Sequence, residues 1–466
     1  MRGKVQKGIA EGILYSPQYK EINLIEKEQK KKEINKIKRE IDEDNKIEIL
    51  SDYKEKTTKK DIKDFVRLYN NRLKILRSIL KNRQELSSVT SIRKIYSIQP
   101  KEQVSTIGII SDIRITKNQN ILLNIEDRTG IIKAVITKRN KETFLIAKDL
   151  CPDEVIGIQG TKGKGIIFVS SVVLPDIPLN NEFKKAPYEG SMIFISDIHI
   201  GSVFFMKKSF EKFLLWLRGE IGNEEQKEEA EKVKYLFIIG DLVEGIGIFP
   251  GQDKELDIKD IYQQYEVFSE YINKIPEHIK VIFCPGNHDS VRIAEPQPPI
   301  SEEMVSSLIT RKNTYSVSSP CLLNIGKTDK FSGFNILLYH GYSFPYYASN
   351  IDSLRAAGGL ESTDKIMTYL LKKRHLAPTH GSTRQIIGYD KDPLVIKQIP
   401  DFFVSGHIHR ASITNYRNIT LMNCSCWITQ TDYQEKRGLV PEPARAIYVD
   451  FKTRKTKIIN FFEKEK

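Results

Sequence analysis

Cysteine is scarce, with five in 466 residues: Cys151, Cys284, Cys321, Cys424 and Cys426. An odd, scattered set offers no disulfide framework and points to a reducing compartment. Cys424-Ser-Cys426 has no second cysteine pair near it, which argues against a structural zinc site. Long apolar runs are missing as well. Nothing approaches the roughly 18 to 20 apolar residues needed to span a bilayer. The opening MRGKVQKGIAEGILYS lacks a long apolar stretch, so no signal peptide is expected. The expectation is a cytoplasmic protein with no membrane contact. Aromatics are absent from EKEQKKKEINKIKREIDEDNKIEIL, whose charges of both signs suit a solvated helix or a disordered tether. Histidine is sparse too, eight in all, so where the histidines fall is informative.

Positive charge is plentiful. Lysine and arginine number 73 against 60 aspartates and glutamates, a formal net charge of +13. Such a balance favours a polyanionic partner, nucleic acid above all, although abundant Lys and Glu together also fit heat adaptation. Hydrophobic residues make up 40% of the chain, enough to build real cores. The length suggests two to three domains on a prior of about 150 residues each.

Three textures follow one another. DIKDFVRLYNNRLKILRSIL puts Ile62, Phe65, Tyr69, Leu73, Leu76 and Leu80 at helical spacing, an amphipathic helix expected to pack on the next domain. STIGIISDIRI, NILLNIEDRTG, IIKAVIT, EVIGIQGTKG and IIFVSSVVL are short β-type runs separated by turn signals. Five short strands in so little chain suggest a small closed barrel, most simply an OB-fold. Its few aromatics, Phe144 and Phe168, favour a docking or spacer role over single-strand binding. PDIPLNNEFKKAP reads as a linker. Beyond it, the apolar runs SMIFIS, KYLFIIG, KVIFCPG, FNILLYH and DFFVSG alternate with helical patterns such as SFEKFLLWLRG, where Ser209 is a candidate N-cap. This is a layered α/β domain. The division is a charged N-terminal segment with its helix (1–86), an OB-fold domain (87–182) and the α/β domain (183–466).

Each apolar run of the last domain ends in the same kind of residue. FISDIHIG carries Asp197 and His199, FIIGDLVEG carries Asp241, and FCPGNHDS carries Asn287, His288 and Asp289. LLYHGYS carries His340, and FVSGHIHR carries His407 and His409. Open α/β sheets bind ligands beyond the carboxyl ends of their strands, so these clusters should meet in one crevice. Asp, His and Asn are intermediate ligands, suited to Mn²⁺, Fe or Zn²⁺ more than to Ca²⁺. Two ions need a bridging carboxylate, and Asp241 after Gly240 is the candidate. Any one of these motifs alone says little; five in order, each after a strand, point to a two-metal site.

The ordered set D-x-H, GD, GNHD, H and GHxH resembles the calcineurin-like metallophosphoesterases. GDLVEG and GNHD lean toward the branch that is similar to Mre-type repair nucleases. DIHIGS, GDLVEGIGIFPGQ, DIYQQYE, GNHDSVRIAEPQPPI and KKRHLAPTHGST together resemble the small subunits of archaeal family D DNA polymerases. That resemblance implies a calcineurin-like domain behind an OB-fold, with a 3′–5′ proofreading exonuclease working beside a large polymerase subunit on single-stranded DNA or a primer 3′ end. It implies two divalent ions, Mn²⁺ favoured, with Fe, Zn²⁺ or Mg²⁺ as alternatives. Asp197, His199 and His409 would hold one; Asn287, His340 and His407 the other; Asp241 would be shared. His288 would be the general acid, Asp289 a support, and Arg292 and Arg410 phosphate contacts or ordinary surface arginines in equal measure. His375 in LKKRH reads as a helix-terminal cation. His380 reads as structural packing near the cleft, and His278 as a surface residue. Pro345 departs from the family pattern, which leads one to expect an acidic residue. The C-terminal KTKIINFFEK has the spacing of a sliding-clamp peptide in Ile458, Phe461 and Phe462, but it alternates like a terminal β-hairpin, the favoured reading. The competing functions are a noncatalytic assembly subunit and a stand-alone repair nuclease. Seven filled ligand positions argue against the first, the preceding barrel against the second.

Overall fold

The computed structural model describes residues 47–53, 59–86, 88–308, 310–389, 391–436 and 438–464. Its strands are β1 (Glu48–Ser51), β2 (Gln103–Ile115), β3 (Ile121–Asp127), β4 (Gly130–Ile136), β5 (Val155–Lys162), β6 (Ile166–Val173), β7 (Ser191–Ile195), β8 (Val233–Ile239) and β9 (Lys280–Cys284). They continue as β10 (Thr314–Ser316), β11 (Cys321–Ile325), β12 (Phe334–Leu338), β13 (Phe402–Ser405), β14 (Ser412–Tyr416), β15 (Ile419–Asn423), β16 (Arg445–Asp450) and β17 (Thr456–Asn460). No helix among the described residues is long and apolar enough to cross a membrane.

The five runs read as a barrel form one. Strands β2 to β6 close in the order β2-β3-β4-β6-β5, around Ile110, Leu123, Ile132, Ile156 and Ile167. The helix Ile62–Leu80 packs against the barrel through Leu73, Leu76 and Leu80. Its buried stripe is Leu68, Arg72, Leu73, Leu76 and Leu80, so the apolar face differs from the spacing-based stripe. Ile62 and Phe65 at its start lie exposed. Asp61 and Asp64 form a capping box that satisfies orphan N–H groups at its start.

Two six-stranded sheets make the rest of the fold, ordered β10-β9-β8-β7-β16-β17 and β1-β11-β12-β13-β15-β14. Side-chain alternation decides how they stack. Phe194, Phe237 and Ile282 of one sheet meet Leu323, Ile336 and Phe402 of the other in a shared core. The residues between them point the other way: Ile193 and Leu236 toward the helices Lys207–Leu217 and Ile261–Asn273, Leu337 and Phe403 toward the helix Thr363–Lys373. Parallel strands buried on both faces need continuous apolar runs, which is why SMIFI, VKYLFII and KVIFC carry so little polarity.

Strand β1 comes from the charged stretch read as a solvated helix or tether. It adds instead to the edge of a sheet, pairing antiparallel with β11, and Ile47 enters the inter-sheet core; the rest of that stretch lies outside the described residues. Ser209 sits inside the helix Lys207–Leu217, behind the N-cap Met206. Its hydroxyl accepts from the Glu463 N–H at 2.9 Å. Pro345 occupies the first turn of the helix Phe344–Asn350, where a missing N–H costs nothing. The C-terminal stretch forms β17, hairpinned to β16, and Phe461 is buried.

Barrel, helix and sheets are tied by buried charge. Arg72 donates through Nε to Asp392 Oδ2 at 2.7 Å and through Nη1 to the carbonyls of Pro378 (2.6 Å) and Asp153 (3.2 Å). Lys373 Nζ meets Glu154 Oε2 at 2.7 Å.

Candidate metal centre

Each polar cluster follows the carboxyl end of a strand. Asp197 and His199 follow β7, Asp241 follows β8, and Asn287, His288 and Asp289 follow β9. His340 follows β12, and His407 and His409 follow β13. The two sheets end at one lip, and close loop approach there depends on glycine. A Cβ on Gly240 would run into His340 Nδ1, and one on Gly286 into Asp241 Oδ1. The backbone is forced at five of the polar positions. Asp197, His199, Asp241, His407 and His409 all have left-handed φ, from 50° to 70°. Such conformations cost of order 1–3 kcal/mol each for residues with a Cβ, and they gather at functional sites.

Asp197, His199 and His409 bring one ligand atom each within 4.8 Å of one another, as do Asp241, His340 and His407. His409 Nε2 lies 3.2 Å from Asp197 Oδ1, and His340 Nε2 lies 3.2 Å from Asp241 Oδ2. The same Asp241 oxygen is 3.7 Å from His199 Nε2, so it stands between the two groups. Asn287 Oδ1 approaches His340 Nε2 at 3.1 Å. His288 is close as well; with His199 and Asp241 it makes a third cluster of the same tightness.

Three of the rings are anchored at Nδ1, which turns Nε2 toward the centre. His199 Nδ1 meets Glu244 Oε2 at 2.9 Å, His340 Nδ1 meets the Ile239 carbonyl at 2.9 Å, and His409 Nδ1 meets the Gln434 amide at 2.8 Å. Metal-binding histidines are oriented in this way. His199 Nε2 is buried and has no hydrogen-bond partner among the described residues. A lone pair removed from water and left unmatched costs free energy unless a cation meets it. The donor set, nitrogen and carboxylate oxygen without thiolate, suits a divalent transition ion.

The electrostatics follow from packing carboxylates and imidazoles together. Burial works against the charge of Asp241, but His340, His288 and His199 hold its carboxyl well below the usual range. Burial would depress His340, yet Asp241 and Asp197 lift it to about 9. Burial and the neighbouring His340 push His407 down to about 3. A cation bound here would displace the proton on His340, so occupancy and pH are linked.

Asp289 is buried and touches backbone rather than the His288 ring. It accepts from the N–H groups of Gly286 (2.8 Å) and Leu242 (3.2 Å) and from the Tyr265 hydroxyl (3.0 Å). It therefore locks the loop after β9 to the loop after β8. Burial and Asp241 raise its carboxyl to about 7. Arg292 is engaged in its own loop, donating to the carbonyls of Ala294 (3.3 Å) and Pro296 (2.8 Å) and to the Tyr389 hydroxyl (2.8 Å). Arg410 pairs with Glu361 at 3.4 Å. His375 is no helix-terminal cation: it is buried beside Asp392 at 3.1 Å, and burial with Arg72 nearby lowers it to about 4. His380 is exposed and edges onto Phe65.

Glu244 is the residue that sequence reasoning passed over. Its Oε2 accepts from His199, its Oε1 accepts from Gln252 Nε2 at 3.1 Å, and its carbonyl accepts from His288 Nδ1 at 2.8 Å. The signal was present in GDLVEG, an acid three positions past Asp241 at the same strand end. Gln434 holds His409 from the helix Asp432–Lys436, and no spacing rule links the two.

A mixed α/β body with a closed five-stranded barrel and buried histidine–aspartate clusters is the class these observations define. Residues 192–414 match the family model for the B-subunits of DNA polymerases alpha and epsilon. The DNA polymerase II small subunit of Methanothermobacter thermautotrophicus is 37% identical over 396 residues, covering 85% of this chain and 79% of that one. Its counterpart in Archaeoglobus fulgidus is 37% identical over 390 residues, 83% of this chain and 75% of the other. That of Pyrococcus abyssi is 37% identical over 405 residues, 86% and 63%. The chain belongs to the archaeal DNA polymerase II (family D) small-subunit family. A predicted phosphoesterase from Streptococcus pneumoniae overlaps 59% of this chain and 92% of its own at 12% identity, with a TM-score of 0.24, too loose to carry an argument.

Proposed function

We propose that the chain is the proofreading subunit of a replicative DNA polymerase, a calcineurin-like phosphodiesterase behind an OB-fold that removes nucleotides from a DNA 3′ end. The observation that carries this reading is His199 Nε2, buried without a partner and 3.9 Å and 3.7 Å from the carboxylates of Asp197 and Asp241. Asp197, His199 and His409 would hold one divalent ion and Asn287, His340 and His407 the other, with Asp241 between them and Mn²⁺ favoured. When bound, two such ions clamp a phosphate and make water a stronger acid. The larger polymerase subunit enters from the name its relatives carry, which calls them small subunits.

The remaining chemistry belongs to the chain's own residues. The His288 N–H donates to Asp241 Oδ1 at 2.8 Å, fixing the loop against the centre. With Nδ1–H given to the Glu244 carbonyl, Nε2 is the ring nitrogen left for substrate. Water adds its oxygen to phosphorus and loses a proton to solvent as the P–O3′ bond breaks, and His288, having taken a proton from solvent at Nε2, hands it to the departing 3′-oxygen. The products are a nucleoside 5′-monophosphate and a strand one nucleotide shorter. Asp289 keeps the two loops in register while this happens.

The test is degradation of a 5′-labelled single-stranded oligonucleotide by the full chain in Mn²⁺, with and without the large subunit. The wild type should shorten it from the 3′ end. His288→Ala should lose about 10²–10⁴-fold in rate while two ions per chain are still found by metal analysis. Full activity in that variant would remove His288 from its role. An inert wild type, even with the partner present, would favour a noncatalytic assembly subunit.

A further inference from the structure

A groove of about 880 Å³ runs from the candidate centre along the loop after β9. Its walls are apolar: Ile246, Ile248, Val291, Ile293, Pro298 and Pro299. None of the six is fully buried, and Ile246 is 46% exposed. Half-exposed apolar walls of this extent mark a binding surface. The groove is continuous with the centre, because its lining includes His288, a member of the clusters there, and Asn287, which meets His340 Nε2. It is a poor track for phosphates, which call for cations. Its one arginine, Arg292, already donates to the carbonyls of Ala294 and Pro296 and to Tyr389, and an acidic side chain, Glu302, lines it as well. What suits apolar walls beside a phosphate site is the flat face of an unpaired base.

We infer that this groove receives the base of the penultimate nucleotide, the one whose 3′-oxygen leaves. The assignment rests on the proposed nuclease reading. There, His288 protonates the departing 3′-oxygen, so the groove that His288 opens onto lies on the side of the strand that stays, not of the monophosphate released. A base lodged there is unstacked and unpaired. The substrate must therefore be single-stranded over at least its last two nucleotides, and one frayed terminal base is not enough. Specificity for damaged or mispaired ends then resides in apolar contacts of the loops after β8 and β9, not in base-edge hydrogen bonds.

The experiment uses the full chain with the large subunit in Mn²⁺ and three 5′-labelled single strands: intact, abasic at the terminal nucleotide, and abasic at the penultimate one. The penultimate lesion should lower kcat/KM roughly tenfold, the size of effect expected from losing one base contact, and the terminal lesion should change it less than about twofold. Ile246→Asn should raise KM for the intact strand, and in that variant the penultimate lesion should cost nothing further. If the penultimate abasic strand is cut as fast as the intact one, or the terminal lesion is the costly one, the groove assignment falls while the nuclease reading stands. If the wild type cuts none of the three, the nuclease reading fails and takes this assignment with it.

Discussion

Glu244 is where a small change should speak most clearly. Its carboxylate receives the Nδ1–H of His199 at 2.9 Å and the Gln252 amide at 3.1 Å. Burial works against its charge, yet the bond from His199 and the nearby imidazoles hold it below the usual carboxylate range. Glu244→Gln keeps size and one oxygen but gives up the charge. A charge-assisted hydrogen bond is about twice as strong as a neutral one, so roughly 1–1.5 kcal/mol is at stake, close to tenfold in metal affinity. Glu244→Ala removes the acceptor as well and should approach a hundredfold loss, the upper end for groups that orient a metal-binding histidine. Titration calorimetry with Mn²⁺ on chelator-stripped protein measures this directly. Only the constant of the ion proposed for Asp197, His199 and His409 should weaken; that of the ion proposed for His340 and His407 should keep its value. Thermal melts over a Mn²⁺ series provide a second reading, since stabilisation grows as RT ln(1 + [L]/Kd). Unchanged constants in Glu244→Ala, or equal losses at both sites, would refute the claim that this carboxylate sets the His199 ring.

Two further expectations concern stability. His375 is held at about 4 by burial and Arg72, against about 6.5 in an unfolded chain. Between those values only the unfolded chain takes up the proton, so stability present above pH 6.5 is lost as pH falls to 4, by roughly 3 kcal/mol in total. Urea midpoints across that window should slope less in His375→Gln than in the wild type, and parallel slopes would rule the account out. Phe461 packs against Phe213, Trp216 and Trp427 at ring distances of 5.4, 5.6 and 6.3 Å, so Phe461→Ala should cost about 3–5 kcal/mol. Phe462, half exposed, should cost under about 0.5 kcal/mol on the same change. A terminal peptide used to grip a clamp would give neither loss in melting experiments.

The sheets were legible because β7, β8 and β9 lie buried on both faces and must be apolar throughout. The five polar clusters were legible because strand ends in such sheets face one crevice. What escaped was set by partners far away in the chain. Strand β1 is too charged in composition to stand out, and only the open edge at β11 makes it a strand. The helix Ile62–Leu80 has apolar residues on more than one face; packing on the barrel selects Leu73, Leu76 and Leu80, and Asp392 and the Pro378 carbonyl draw Arg72 inward, while Ile62 and Phe65 stay exposed. Arg292 read equally as a phosphate contact or an ordinary surface arginine, and spacing could not show that its loop folds back and gives the guanidinium to carbonyls. His375 carried the wrong charge in the sequence reading because LKKRH shows neither its burial nor Arg72, which comes from a distant segment. Glu244 could have been found by asking what holds His199, a question that spacing alone does not raise.

The five left-handed side chains at the strand ends have a consequence for how this chain can change over generations. At each of them glycine would relieve the backbone, and most mutations that stabilise a protein are neutral unless they touch function. In a descendant with no use for the site, glycine would recover of order 1 kcal/mol of backbone strain at each position, set against the bonds that Asp197 and Asp241 give to the His407 and His288 N–H groups. Aspartate and histidine still occupy all five. The centre thus carries a standing conformational cost at five side chains, all on the loops that close over the strand ends.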